Sequence, residues 1–239
     1  MKKNENLSAE LLKKFKTLVI VLIGITVLSS CLKTYVDPRI ENSAHTIFVN
    51  VIPDNTTYNV YIDNARATNQ PFAFSFALPP IYVSAGSKTI EYRLNNSSQV
   101  VITDTVVFKP KNYYTIFSTR TTDPELVVIE DVPANLTDPP TGKAKVRFIN
   151  MSPGSPNIDL FVDKGATLFT NIAYKTTTEF LVVNSSFYDL NFRATGTTGV
   201  KFTKRIAIDP DRLYTIFALG VWNPLPEDAP LDLGLLDAR

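Results

Sequence analysis

Tyr114-Thr115-Ile116-Phe117 and Tyr214-Thr215-Ile216-Phe217 are the same tetrapeptide, one hundred residues apart. At that offset Phe48-Val49-Asn50 falls on Phe148-Ile149-Asn150, and Val60-Tyr61-Ile62-Asp63 falls on Leu160-Phe161-Val162-Asp163. Ile90-Glu91-Tyr92-Arg93 likewise matches Leu190-Asn191-Phe192-Arg193, and Pro53 and Pro110 match Pro153 and Pro210. One register holds without a gap from Phe48 to Phe117, and the apolar positions stay apolar. Chance likeness between two β-rich stretches would drift, so this is an internal repeat. The chain carries two copies of one domain.

Each copy reads as strands. Asn59–Asp63, Thr89–Leu94 and Tyr113–Thr119 are rich in β-branched and aromatic residues and alternate with period two. Turn chemistry separates them at Pro53-Asp54-Asn55, Asn95-Asn96-Ser97-Ser98, Ser152-Pro153-Gly154-Ser155 and Thr195-Gly196-Thr197-Thr198-Gly199. About seven short strands in roughly 95 residues predict an antiparallel, immunoglobulin-like β-sandwich. The fold expected is all-β, two tandem sandwiches at 44–132 and 143–239 joined by a linker at 133–142. Pro133, Pro139 and Pro140 bar that linker from a central strand. Small, partly polar contacts between two independently folding halves are therefore expected.

The chain has 239 residues, of which 44% are hydrophobic, with one Cys and one His. That composition excludes wholesale disorder. One cysteine and one histidine exclude an intrachain disulfide, a thiolate cluster and any site needing two imidazoles. Without the first 30 residues, 19 basic residues face 21 acidic ones, so no basic field remains for nucleic acid.

The N-terminus reads as a targeting segment, residues 1–30. Lys2, Lys3, Lys13, Lys14 and Lys16 precede an apolar run, Leu18–Leu28. Eleven residues of helix would span only about 16 Å, too short to cross a bilayer comfortably. Leu28-Ser29-Ser30-Cys31 follows and resembles the bacterial lipobox, whose cysteine is diacylated and becomes the mature N-terminus. Cys31 is thus the expected lipidation site, and residues 31–43 a tether. Leu32–Asp37 lacks the acidic run that directs Bacteroidota-type lipoproteins to the cell surface. A periplasm-facing outer-membrane anchorage is the expectation.

Lys145-Val146-Arg147-Phe148-Ile149-Asn150-Met151-Ser152-Pro153-Gly154-Ser155-Pro156 leads into Asn157-Ile158-Asp159-Leu160-Phe161-Val162-Asp163. This stretch resembles the opening of the family known as domain of unknown function 4397, over about residues 143–237 and more loosely 45–132. The first copy departs from it at Val51–Asn55, with no counterpart of Ser152 or Pro156. The resemblance implies an exported or lipid-anchored β-sandwich module and carries no activity with it.

Candidate chemistry is thin. His45 stands where the first strand begins, without a Gly-x-Ser-x-Gly elbow for a triad, and reads as a strand-edge residue near the surface. Asp63 and Asp163 recur in both copies and suit hairpin turns, though two carboxylates are all that a glycosidase needs. Asp209-Pro210-Asp211 reads as a turn rather than a calcium loop. No catalytic residue, metal site or cofactor is assigned. Phe72, Phe74 and Phe76 alternate as if on one strand face, and Tyr82 follows. Trp222 sits in the Pro-rich Gly220–Pro226 connection, either tucked over an open sandwich end or presented for binding. Phe76, Tyr82 and Trp222 are the candidate binding residues, toward a glycan or an envelope protein. The expected function is a non-catalytic binding or assembly module held to the membrane through Cys31; the alternative is an envelope glycan hydrolase using paired carboxylates.

Overall fold

The computed structural model describes residues 38–120 and 123–238. The targeting segment, Cys31 and most of the tether lie outside them. A single helical turn, α1 (Pro38–Glu41), enters the first copy. Its strands are β1 (Ser43–Asn50), β2 (Tyr58–Ile62), β3 (Ala65–Arg66), β4 (Ile81–Ser84), β5 (Gly86–Leu94), β6 (Val100–Phe108), β7 (Tyr113–Arg120) and β8 (Pro124–Asp131). The second copy repeats them as β9 (Lys143–Asn150), β10 (Ile158–Val162), β11 (Thr167–Ile172), β12 (Leu181–Asn184), β13 (Ser186–Ala194), β14 (Phe202–Ile208), β15 (Leu213–Leu219) and β16 (Asp232–Asp237). Among the described residues no helix is long and apolar enough to cross a membrane.

Each copy forms two four-stranded sheets in the same order: β4-β1-β7-β8 over β3-β2-β5-β6, and β12-β9-β15-β16 over β11-β10-β13-β14. Among the described residues no sheet takes strands from both copies. Pairing is antiparallel except for β1 with β7 and β9 with β15, which run parallel. Between the first two sheets lie Phe48, Val60, Ile90, Tyr92, Phe108 and Ile116. Between the second two lie Phe148, Leu160, Leu190, Phe192, Ile206 and Ile216. These are the inward positions that period-two alternation selects.

The alternate positions are buried too. Ile47, Val49, Val51, Phe117 and Ile129 of the first copy pack on Ile149, Met151, Phe217 and Leu219 of the second. Phe117 and Phe217 meet edge to face, with ring centroids 5.3 Å apart. The small polar junction expected from the linker is therefore corrected. The two inner sheets pack face to face, and each such buried side chain contributes on the order of 1.5–3 kcal/mol over exposure. Two-sided burial explains why Ile47-Phe48-Val49, Ile116-Phe117 and Phe148-Ile149 set consecutive apolar residues in β1, β7 and β9, and why β15 is apolar almost throughout.

The copies also run in the same sense. Asp131 meets Arg147 near the start of β9 at 2.8 Å, and Thr119 meets Tyr174 at 2.9 Å further along. At the far end the Ala229 N–H donates to the Pro53 carbonyl at 3.2 Å. The linker turns through Pro133–Asn135 and buries Leu136 against Leu213 and Ala238. Lys145 Nζ donates to the Thr137 carbonyl and hydroxyl at 2.8 and 2.7 Å, which fastens the linker to the second copy.

Candidate interaction surface

Strand register builds an aromatic row at the start of the first inner sheet. His45 of β1 lies opposite Tyr82 of β4 and Tyr113 of β7, and Tyr113 lies opposite Asp131 of β8. The His45 ring is 5.6 Å from that of Tyr82 and 5.2 Å from that of Tyr113. The row shares the face of Ile47 and Val49, so it rims the layer between the copies. His45 is not on a strand edge as the sequence suggested, because β1 lies between β4 and β7. It is half-buried, and burial pushes its imidazole below the ordinary histidine value. Tyr82, on the edge strand, is 58% exposed.

Next to this row lies an ion pair that the sequence reading missed. Arg147 Nη1 and Nη2 donate to the two Asp131 carboxylate oxygens, both at 2.8 Å, and Nε donates to Thr215 Oγ1 at 2.9 Å. Its guanidinium also lies over the Phe180 ring, 4.7 Å from the centroid. Both charges are buried, each fully engaged across the junction. The repeat held the signal. Arg147 stands where the first copy has Ile47, and Asp131, opposite Tyr113, stands where Ala238 lies beside Leu213. Two opposite charges replacing two apolar residues on one face point to a pair.

The recurring acids stay apart. Asp63 and Asn64, at φ 48° and 68°, form the two-residue turn of the β2–β3 hairpin. Asp63 accepts from Lys88 at 2.8 Å and from the Thr89 N–H at 3.0 Å, and these bonds hold its carboxyl below the usual range. Asp163 occupies the equivalent turn on the other copy, where Lys164 has φ 53°. Asp211 Oδ1 accepts the Gly142 N–H at 3.0 Å, so the Asp209–Asp211 turn pins the end of the linker. Among the described residues no group of three His, Cys, Asp or Glu side chains is placed to hold a metal.

The aromatics divide three ways. Phe72, Phe74 and Phe76 do not share a strand face, because residues 71–80 form an irregular crossing and Ser75 has φ 66°. Phe72 enters the first core, Phe74 packs on the layer between the copies, and Phe76 is exposed. Trp222 is corrected from a candidate binding residue to a core residue. It is 7% exposed among Leu231, Leu233 and Ala218, with the Lys201 ammonium 5.6 Å from its ring. On the outer sheets Arg93 covers Tyr61 at 4.1 Å and Arg193 covers Phe161 at 4.6 Å, so neither ring offers a bare face for a sugar. At the second core an apolar, half-open notch of about 10 Å³ lies between Val146, Leu168 and Ile208.

These features define a protein of two β-sandwiches joined through their inner sheets, with aromatic and aliphatic side chains left at the rims. The sequence profile of the family described as domain of unknown function (DUF4397) matches residues 44–161 and 144–233, and the chain belongs to that family. Comparison with curated proteins finds no match.

Proposed function

We propose that the protein is a lipid-anchored, non-catalytic binding or assembly module of the cell envelope, held to the outer membrane through Cys31 and facing the periplasm. The observation that carries this reading is how the side chains suited to chemistry are used. His45 is wedged between two tyrosines, Asp63 and Asp163 close hairpin turns, and Asp131 and Arg147 neutralise one another inside the junction. The exposed aromatics on the rigid double sandwich are Phe76, Tyr82 and Phe187, and Phe76, at the end away from the tether, is of the kind that docks a partner. The lipobox-like Leu28-Ser29-Ser30-Cys31 supplies the anchor.

Metabolic labelling with a fatty-acid analogue tests the anchor. The native chain takes up label and sediments with outer membranes, and Cys31→Ala takes up none and becomes soluble. Crosslinking in the native envelope tests the module. A photoreactive residue at Phe76 captures a specific partner, and one at buried Trp222 does not. Glycan hydrolysis by the purified chain, abolished by Asp63→Asn or Asp163→Asn, would overturn the non-catalytic reading.

A further inference from the structure

The two copies start at the same end of the molecule, and the tether arrives there. Asn42 and Ser43 are held by the Ala85 N–H at 2.9 Å and the Lys111 N–H at 2.8 Å, and Glu41 pairs with Lys111, so α1 lies beside the turns that close β4–β5 and β6–β7. Six residues separate Cys31 from Pro38. Even fully extended, a stretch of that length reaches no more than about 25 Å. A lipid on Cys31 therefore holds this end close to the bilayer, and strands of eight residues carry the opposite end roughly 25 Å further away.

At this end, one or two residues in from the strand ends, exposed apolar side chains stand on each side. Val107 lies opposite Ser87 on the outer face of the first copy, 60% exposed. Phe187 lies opposite Ala207 on the outer face of the second, 66% exposed, with the Arg205 guanidinium 5.3 Å from its ring. These are the same cross-strand pair in both copies, and each copy keeps one large exposed apolar residue there, on different strands. Tyr82 and Val182, again equivalent, are exposed on the two edge strands, and Ile40 is exposed on α1. Lys109 and Lys111 extend from the adjoining turn.

The geometry points to a membrane-seating collar: Tyr82, Val107, Val182 and Phe187 rest in the interfacial layer of the bilayer that the Cys31 lipid enters. This rests on the lipid-anchor reading. A collar one or two residues deep matches the 5–10 Å to which interfacial apolar groups bury, and tyrosine and long lysine side chains suit the headgroup level. The opposite end, with Phe76, Val200 and Leu225, then faces away from the membrane and is the end left for a partner.

Because Cys31 is the only native cysteine, lipidation leaves a chain that can be labelled at a single introduced thiol. The full lipidated chain is reconstituted in phosphatidylethanolamine–phosphatidylglycerol vesicles with an environment-sensitive fluorophore at Val107→Cys, Phe187→Cys, Val200→Cys or Leu225→Cys. Quenching by aqueous iodide is expected to be about fivefold weaker at 107 and 187 than at 200 and 225, and bilayer-borne quenchers are expected to act only on the first pair. Equal accessibility of all four labels on protein that floats with the vesicles overturns the collar and leaves the anchor standing. A chain that carries no lipid and does not float overturns both. Protection of 107 and 187 in native envelopes but not in vesicles assigns the collar to a protein partner and overturns the membrane proposal.

Discussion

Thr46 and Val146 occupy equivalent places on β1 and β9, both facing a sandwich core, and only valine suits the place. Thr46 is fully buried and its hydroxyl has no hydrogen-bond partner. A buried unpaired hydroxyl costs about 1–3 kcal/mol, so Thr46→Val should stabilise the chain by about 1 kcal/mol, seen as a higher urea midpoint at unchanged slope. A lower midpoint would mean that the hydroxyl is satisfied. His45 allows a second test. Its folded pKa lies below the ordinary histidine value because burial disfavours the imidazolium. As pH falls through about 6.5, the unfolded chain takes up a proton that the folded chain resists, so stability falls on acidification and is regained as pH rises. With one histidine in the chain, the loss between about pH 7.5 and 5.5 should shrink in His45→Gln; an unchanged loss assigns the titration elsewhere. Carboxylates held low, such as Asp63, lose their contribution only at more acidic pH.

At the scale of elements, the repeated Asn50 and Asn150 show what sequence could and could not give. Their recurrence after Phe48-Val49 and Phe148-Ile149 was plain, but their task was not. Asn50 is fully buried. Its Nδ2 donates to the Phe72 carbonyl at 3.2 Å, and its Oδ1 accepts the Ile52 N–H at 3.0 Å and the Ser118 hydroxyl at 3.1 Å. The backbone carbonyl of Asn50 accepts the Ser75 N–H at 2.8 Å. Asn150 repeats the pattern toward Ile172 and Ser152. These bonds draw residues 72–76 off any strand path, which is why Phe72, Phe74 and Phe76 part company. Period-two reading sees side-chain alternation and is blind to a buried amide holding a crossing. Asn50→Ala should cost about 3 kcal/mol and speed amide exchange across residues 72–78. A loss under about 1 kcal/mol would mean that packing alone holds the crossing. The extents of β2, β5 and β7 were legible from their β-branched and aromatic residues, and all three fall within a few residues of their expected bounds. The inner strands of both copies hid their second buried face, because an apolar run does not say what covers it.

The whole molecule is a pairing of like with like. Val49 and Ile149, Val51 and Met151, and Phe117 and Phe217 all enter the layer between the copies, so each copy uses the same face. This is the arrangement of an isologous dimer fused into one chain. Arg147 and Asp131 are its buried charged asymmetry, apart from the partly exposed Glu125–Lys175 pair at 2.6 Å, and the repeat names their apolar substitutes. Breaking the pair in Asp131→Ala alone should cost about 3–5 kcal/mol, whereas Asp131→Ala with Arg147→Ile should recover most of that, since an apolar replacement of a buried pair is often neutral or better. A double variant as unstable as the single one would show that Thr215 and Phe180 need the guanidinium for packing. The shared layer also bears on what a half can do alone. Segment 44–134 would expose Ile47, Val49, Phe117 and Ile129 on one flat sheet, a patch that soluble monomers rarely carry. It should therefore self-associate in sedimentation, as a dimer through that face or as larger aggregates. Val49→Lys and Phe117→Lys together should return it to a monomer with its own core intact. A wild-type half that sediments as a monomer and unfolds cooperatively, as stable as the intact chain, would mean that the layer between the copies is dispensable.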